Sequence, residues 1–169
     1  MKNTVTTSEI FKYILLFTFL FAAFLALAIT YNRVFKLKNE TISIIEEYEG
    51  VSNISLNIIN NYLNNNGYST KGQCELNEYG IKNLDSMDPE LVTNTNEKYM
   101  YCLKYYCDPD SQCRVGGESN PNAPNNNYIY YNVKLFFKFN LPFIGELFTF
   151  KISGETKGIK YYSVNQRLS

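Results

Sequence analysis

From Tyr13 to Thr30 the chain reads YILLFTFLFAAFLALAIT, an apolar block without charge, proline or glycine. Its eighteen residues, at ~1.5 Å rise each, span roughly 27 Å, close to the ~30 Å hydrocarbon core of a bilayer. Tyr13 and Tyr31 stand at its two ends, where an aromatic belt belongs, and Lys12 is placed to snorkel toward headgroups. The block predicts a transmembrane helix. Past it, Val34, Leu37, Lys38, Ile42, Ile45 and Tyr48 recur at three-to-four spacing, and no Gly or Pro intervenes before Gly50. One continuous helix is therefore expected from about Ser8 to Glu49, with Gly50 as its C-cap. The chain divides into a tail (1–12), a membrane segment (13–30), a helical extension (31–50) and a domain (51–169).

Within the domain, Ser52 is a suitable N-cap for a second helix to Asn66. Its apolar face carries Ile54, Ile58, Ile59, Tyr62 and Leu63. The period then changes to two. Tyr99, Tyr101, Leu103 and Tyr105 alternate with Lys98, Met100, Cys102 and Lys104. Ile129, Tyr131, Val133, Leu135, Phe137, Phe139 and Leu141 alternate with Tyr130, Asn132, Lys134, Phe136 and Lys138. A third run, Phe148, Phe150 and Ile152, follows a turn over residues 141–145, and a short strand fits between Tyr68 and Glu75. The expected class is α+β, a long membrane helix continuing into a small domain where one further helix packs on an antiparallel sheet. The stretch from Gly116 to Asn127, rich in Gly, Pro and Asn, reads as an exposed loop.

Cys74, Cys102, Cys107 and Cys113 all follow the apolar block, and none forms a C-x-x-C pair. That spacing supports neither a four-cysteine zinc site nor a thioredoxin-like centre, whereas an even number beyond an export-type segment fits two disulfides. Of three pairings, Cys107 with Cys113 is preferred, because Asp108-Pro109-Asp110-Ser111-Gln112 can turn between them; Cys74 then joins Cys102. The cysteines place the domain outside the cytoplasm. Arg33, Lys36 and Lys38 argue the other way, since they outnumber Lys2 and Lys12 on the opposite flank. The rival to a retained signal-anchor is a cleaved signal peptide, with Ala26-Leu27-Ala28 as the small-x-small site and a secreted product after Ala28.

Composition removes several functions. The chain has sixteen basic and sixteen acidic residues and no His. The missing His removes the usual general base, the triads that depend on it and every His-containing zinc site. Asp85, Asp88 and Glu90, like Asp108 and Asp110, lack EF-hand spacing and lie beside Pro in turn-like sequence. No phosphate-binding glycine loop, zincin motif or G-x-S-x-G elbow occurs. The reading is not an enzyme, with no cofactor, no metal and no nucleic-acid partner.

Thr18, Ala22, Ala26 and Thr30 recur every four residues and give the apolar helix a ridge of small side chains, suited to close helix–helix approach in lipid. The segment VKLFFKFNLPFIG from Val133 and its continuation FTFKISGET from Phe148 resemble the closing strands of TadE-like pseudopilins from tight-adherence, type IV-related pilus systems. With the short tail and long N-terminal helix, the layout is similar to a pilin. The resemblance implies a membrane-anchored structural or assembly subunit at the cell surface, partnered by the bilayer and by itself or other pilin-like subunits. It also implies that Glu9, in Ser8-Glu9-Ile10-Phe11, holds the place of the glutamate that meets a neighbour's N-terminus, although no Gly or Ala precedes it. The alternative is a membrane-tethered binding module that uses the Gly116–Asn127 loop.

Overall fold

A computed structural model of the chain describes residues 2–86, 88–107, 128–141 and 145–160. The first helix, α1 (Lys2–Glu47), is unbroken over 46 residues. Its end is local: Glu49 and Gly50 take positive φ (52° and 130°), and the Gly50 N–H donates to the Ile45 carbonyl at 2.9 Å. Gly50 also lies under the Tyr131 hydroxyl, so a side chain there would be strained as well as crowded. The second helix, α2 (Asn53–Asn65), begins at the expected cap. The Ser55 N–H donates to Ser52 Oγ (3.2 Å) while the Ser52 N–H donates to Ser55 Oγ (2.8 Å), a reciprocal box made by two serines. It ends through Gly67 (φ 64°), whose N–H meets the Asn64 carbonyl, while the Tyr68 N–H meets that of Leu63.

Among the described residues eight strands follow: β1 (Gly72–Gln73), β2 (Tyr79–Ile81), β3 (Glu90–Leu91), β4 (Lys98–Tyr99), β5 (Tyr101–Cys107), β6 (Tyr128–Leu141), β7 (Gly145–Glu155) and β8 (Ile159–Lys160). The antiparallel sheet runs β3-β2-β5-β6-β7, with β8 pairing the start of β6, and β1 and β4 form a separate ribbon. Register centres on β6, where Leu135 lies between Tyr101 of β5 and Ile152 of β7. The α+β layout read from the sequence, a long apolar helix leading to one further helix and an antiparallel sheet, is the architecture found.

The front of the sheet carries the main core. Tyr101, Leu103, Val133, Leu135 and Phe137 pack on Val34, Leu37, Ile44 and Ile45 of α1 and on Leu56, Ile59 and Leu63 of α2. Ile45, Ile59, Leu63 and Leu135 are fully enclosed, and each such side chain contributes about 1.5–3 kcal/mol by leaving water. The polar atoms within are matched. The Tyr101 hydroxyl donates to Asn60 Oδ1 (2.8 Å), and Asn60 Nδ2 donates to the Ser86 carbonyl (2.9 Å). Burial holds the Tyr101 phenol well above its usual titration range, so it stays a donor.

The back of the sheet differs from a simple apolar-in, polar-out alternation. Cys102 and Phe136, at positions that alternate with the core residues, are enclosed in a second small core with Cys74, Val92 and Tyr99. The β1–β4 ribbon, with Cys74 and Val92, covers that face, Gly72 lying directly against the Phe136 ring. The alternating run through Tyr99 also breaks at Met100, whose N–H turns to the Ile81 carbonyl (2.7 Å), so Tyr99 pairs with β1 instead of continuing β5. The Gly116–Asn127 loop lies outside the described residues.

Candidate functional site

Two regions bear on function, the apolar half of α1 and the covered back of the sheet. Among the described residues one helix, α1, is long and apolar enough to cross a membrane, and its apolar window stands almost wholly clear of the domain. Ile14, Phe17, Phe21 and Phe24 project into the surroundings. The described part of the domain does not cover them, which leaves an apolar surface of the kind that lipid or another protein covers.

The small-residue ridge is split by the fold. Thr18 and Ala22 are exposed, whereas Ala26 and Thr30 are half-buried, Thr30 in a cleft lined also by the domain. The two threonine hydroxyls bond back into the helix, Thr18 to the Ile14 carbonyl (2.8 Å) and Thr30 to that of Ala26 (2.9 Å), which removes unpaired donors from an apolar setting. Glu9, exposed near the start of the segment, makes an open ion pair with Lys12 at 3.9 Å.

Where the apolar segment ends, aromatic rings gather. Tyr31 stacks on Phe35 (6.1 Å between centroids) and meets the edge of Phe137 (6.0 Å), which stacks on Phe150 of β7 (5.3 Å). Tyr31, Phe35 and Phe150 remain substantially exposed, and Lys38 Nζ sits 4.5 Å over the Phe35 ring. This is the chemistry of an interfacial belt, apolar bodies with polar or cationic groups at the rim. Sequence spacing marked Tyr31 but not Phe35 one turn on, nor Phe137 and Phe150, which come from strands more than a hundred residues away.

On the back of the sheet Cys74 and Cys102 form a disulfide across 28 residues, with Cα atoms 5.7 Å apart. Cys107 is likewise engaged in a disulfide, and Cys113 lies outside the described residues. Beside the Cys74–Cys102 bond sits Glu78, fully enclosed. Lys134 Nζ donates to Glu78 Oε1 (2.5 Å), and the Glu75 N–H donates to Oε2 (2.9 Å), so both oxygens are taken. Burial works against the Lys134 charge, but hydrogen bonds to Glu78 and Glu75 outweigh it and raise its pKa. Lys151 and then Lys134 draw the Glu75 carboxyl down to about 2. No run of sequence announced Glu78; it is one acid in an aperiodic stretch.

Cys74, Glu78 and Cys102 lie close enough together to resemble a ligand trio. The two sulfurs are bonded to each other, however, and the carboxylate is committed to Lys134 and to a backbone N–H. The group therefore acts as a brace between the covering segment and β5–β6. It presents neither a thiolate nor a free base.

No family model matches the chain, and neither the curated proteins nor the solved structures contain a match to it.

Proposed function

We propose that this chain is a non-enzymatic, membrane-anchored structural or assembly subunit, pseudopilin-like in design, of a surface pilus or a secretion-type assembly. The observation that carries this reading is the division of α1, whose C-terminal half is built into the domain core while its N-terminal half projects bare. A helix shared in this way couples a lipid-embedded contact rigidly to an external domain, the mechanical arrangement a pilin-like subunit uses. The exposed part of the small ridge, Thr18 and Ala22, supplies a surface for self-association by close packing. Glu9 holds only a long, solvent-exposed pair with Lys12. Such a pair costs little to exchange for the N-terminus of a neighbour. The disulfide at Cys74–Cys102 suits a domain on the extracytoplasmic side.

The test is a photo-crosslinking amino acid incorporated at Thr18 and irradiated in native membranes. A ladder of self-linked species is expected. Monomer alone, from a chain that remains in the membrane fraction, refutes the assembly reading.

A further inference from the structure

Just beyond the apolar segment, α1, β6 and the turn after α2 enclose a cleft of about 250 Å³. Thr30 and Arg33 line it from α1, Ser69 and Thr70 from the turn, and Lys138 from β6, with Phe137 as part of an apolar wall. Among the described residues the lining holds two cations, four hydroxyls and no carboxylate. We propose that this cleft binds the headgroup phosphate of an anionic phospholipid in the leaflet adjoining the domain, an inference that rests on the membrane-anchored reading above.

The position, the charge and the geometry each support it. Thr30 closes the apolar block and Arg33 lies one turn further on, so the cleft opens at headgroup level when the block spans the hydrocarbon. Arg33 is fixed there: one guanidinium nitrogen donates to the Asn66 carbonyl at the C-terminal end of α2. That bond leaves further donors of the planar fork for a phosphate, and a cation already held in place loses little freedom on binding. Lys138 brings a second positive charge from another element, and the Ser69 and Thr70 hydroxyls supply neutral donors for the remaining oxygens, those of Thr30 and Tyr68 being given to the Ala26 and Met100 carbonyls. Below the cleft, half-buried Ala26 and Leu27 continue an apolar surface along α1 on which acyl chains can lie. The exposed rings of Tyr31 and Phe35 flank it at the depth where aromatic side chains favour the interface.

The full chain should be incorporated into vesicles of phosphatidylcholine alone and of phosphatidylcholine with phosphatidylglycerol. After mild detergent extraction, retained lipid is read by native mass spectrometry. Phosphatidylglycerol should be retained about tenfold over its share of the mixture. The double substitution Arg33→Gln/Lys138→Gln should abolish that preference, while Lys36→Gln, exposed and outside the cleft, should leave it intact. Added inorganic phosphate should fail to displace the lipid. If it displaces it fully, a free anion is the ligand and the lipid assignment is overturned. A chain that floats with both kinds of vesicle but retains the two lipids in proportion overturns the cleft proposal alone. One that floats with neither overturns the anchored reading and this proposal with it. The comparison of lipid compositions uses the native chain, so a variant that fails to fold does not prevent a decision.

Discussion

Glu78 and Lys134, 56 residues apart in the chain, are joined at 2.5 Å on the covered face of the sheet, where the carboxylate is wholly withdrawn from solvent. Removing one member leaves the other charge uncompensated in a poorly solvated site, which costs about 3–5 kcal/mol in buried pairs. Lys134→Met should therefore lower unfolding stability by about 3 kcal/mol. Adding Glu78→Gln to it should recover part of that loss, because the amide needs no counter-charge. Urea denaturation of the native chain, of Lys134→Met and Glu78→Gln singly and of the two combined checks the cycle. Strictly additive losses would show that the two residues act independently.

Glu75 sets a separate acid limit. Hydrogen bonds from Lys151 and Lys134 hold its carboxyl at about 2 in the folded chain, against an ordinary 4.5. A folded-state value below the unfolded one gives stability that is complete above about 4.5 and is lost as pH falls toward about 2. The denaturation midpoint should decline through that window in the native chain, and Glu75→Gln should flatten the decline there. The carboxylate is more than half exposed, so salt should reduce the effect.

The Cys74–Cys102 bond closes a loop of 28 residues that contains β2, β3 and the cover over the back of the sheet. Restricting a loop of this length in the unfolded chain contributes about 3–4 kcal/mol. Cys74→Ala/Cys102→Ala removes this one bond and leaves that of Cys107. Thermal unfolding should shift down by the corresponding amount, and hydrogen exchange should rise first at the amides of β2 and Val92. Exchange rising evenly over the domain would show that the bond does not specifically secure the cover.

The parts of the fold legible in the sequence are those whose cause is local. Ser52 caps α2 because its own side chain reaches Ser55, and Gly50 ends α1 because its φ favours glycine. The front faces of β5, β6 and β7 were visible as alternation. The back was not, for a physical reason. Phe136 sits between Lys134 and Lys138 and looks like one apolar residue on a wet face, yet it is enclosed against Cys102 and Tyr99. What covers it is the ribbon of β1 and β4, two residues each, with Cys74 and Val92, too short to show any period. Glu78 was invisible for the same reason. The cleft beside Arg33 draws on α1, the end of α2 and β6, elements whose proximity only the folded chain defines.

The split ridge of α1 gives a prediction that separates packing within the chain from packing between chains. Ala22 is exposed, whereas Ala26 is half-buried and adjoins Leu27, which packs on the core. Among the described residues a leucine at exposed position 22 meets nothing beyond its own helix, but it keeps a neighbouring helix at a distance. Ala22→Leu should thus abolish photo-crosslinking from position 18 and leave the unfolding midpoint in detergent unchanged. A leucine at position 26 enlarges a half-buried site next to Leu27, and overpacking there costs about 1–3 kcal/mol. Ala26→Leu should lower the midpoint as well as weaken crosslinking. Equal midpoints for the two variants would mean that the domain does not rest on this part of the helix. Crosslinking that survives Ala22→Leu would mean that chains associate through another face.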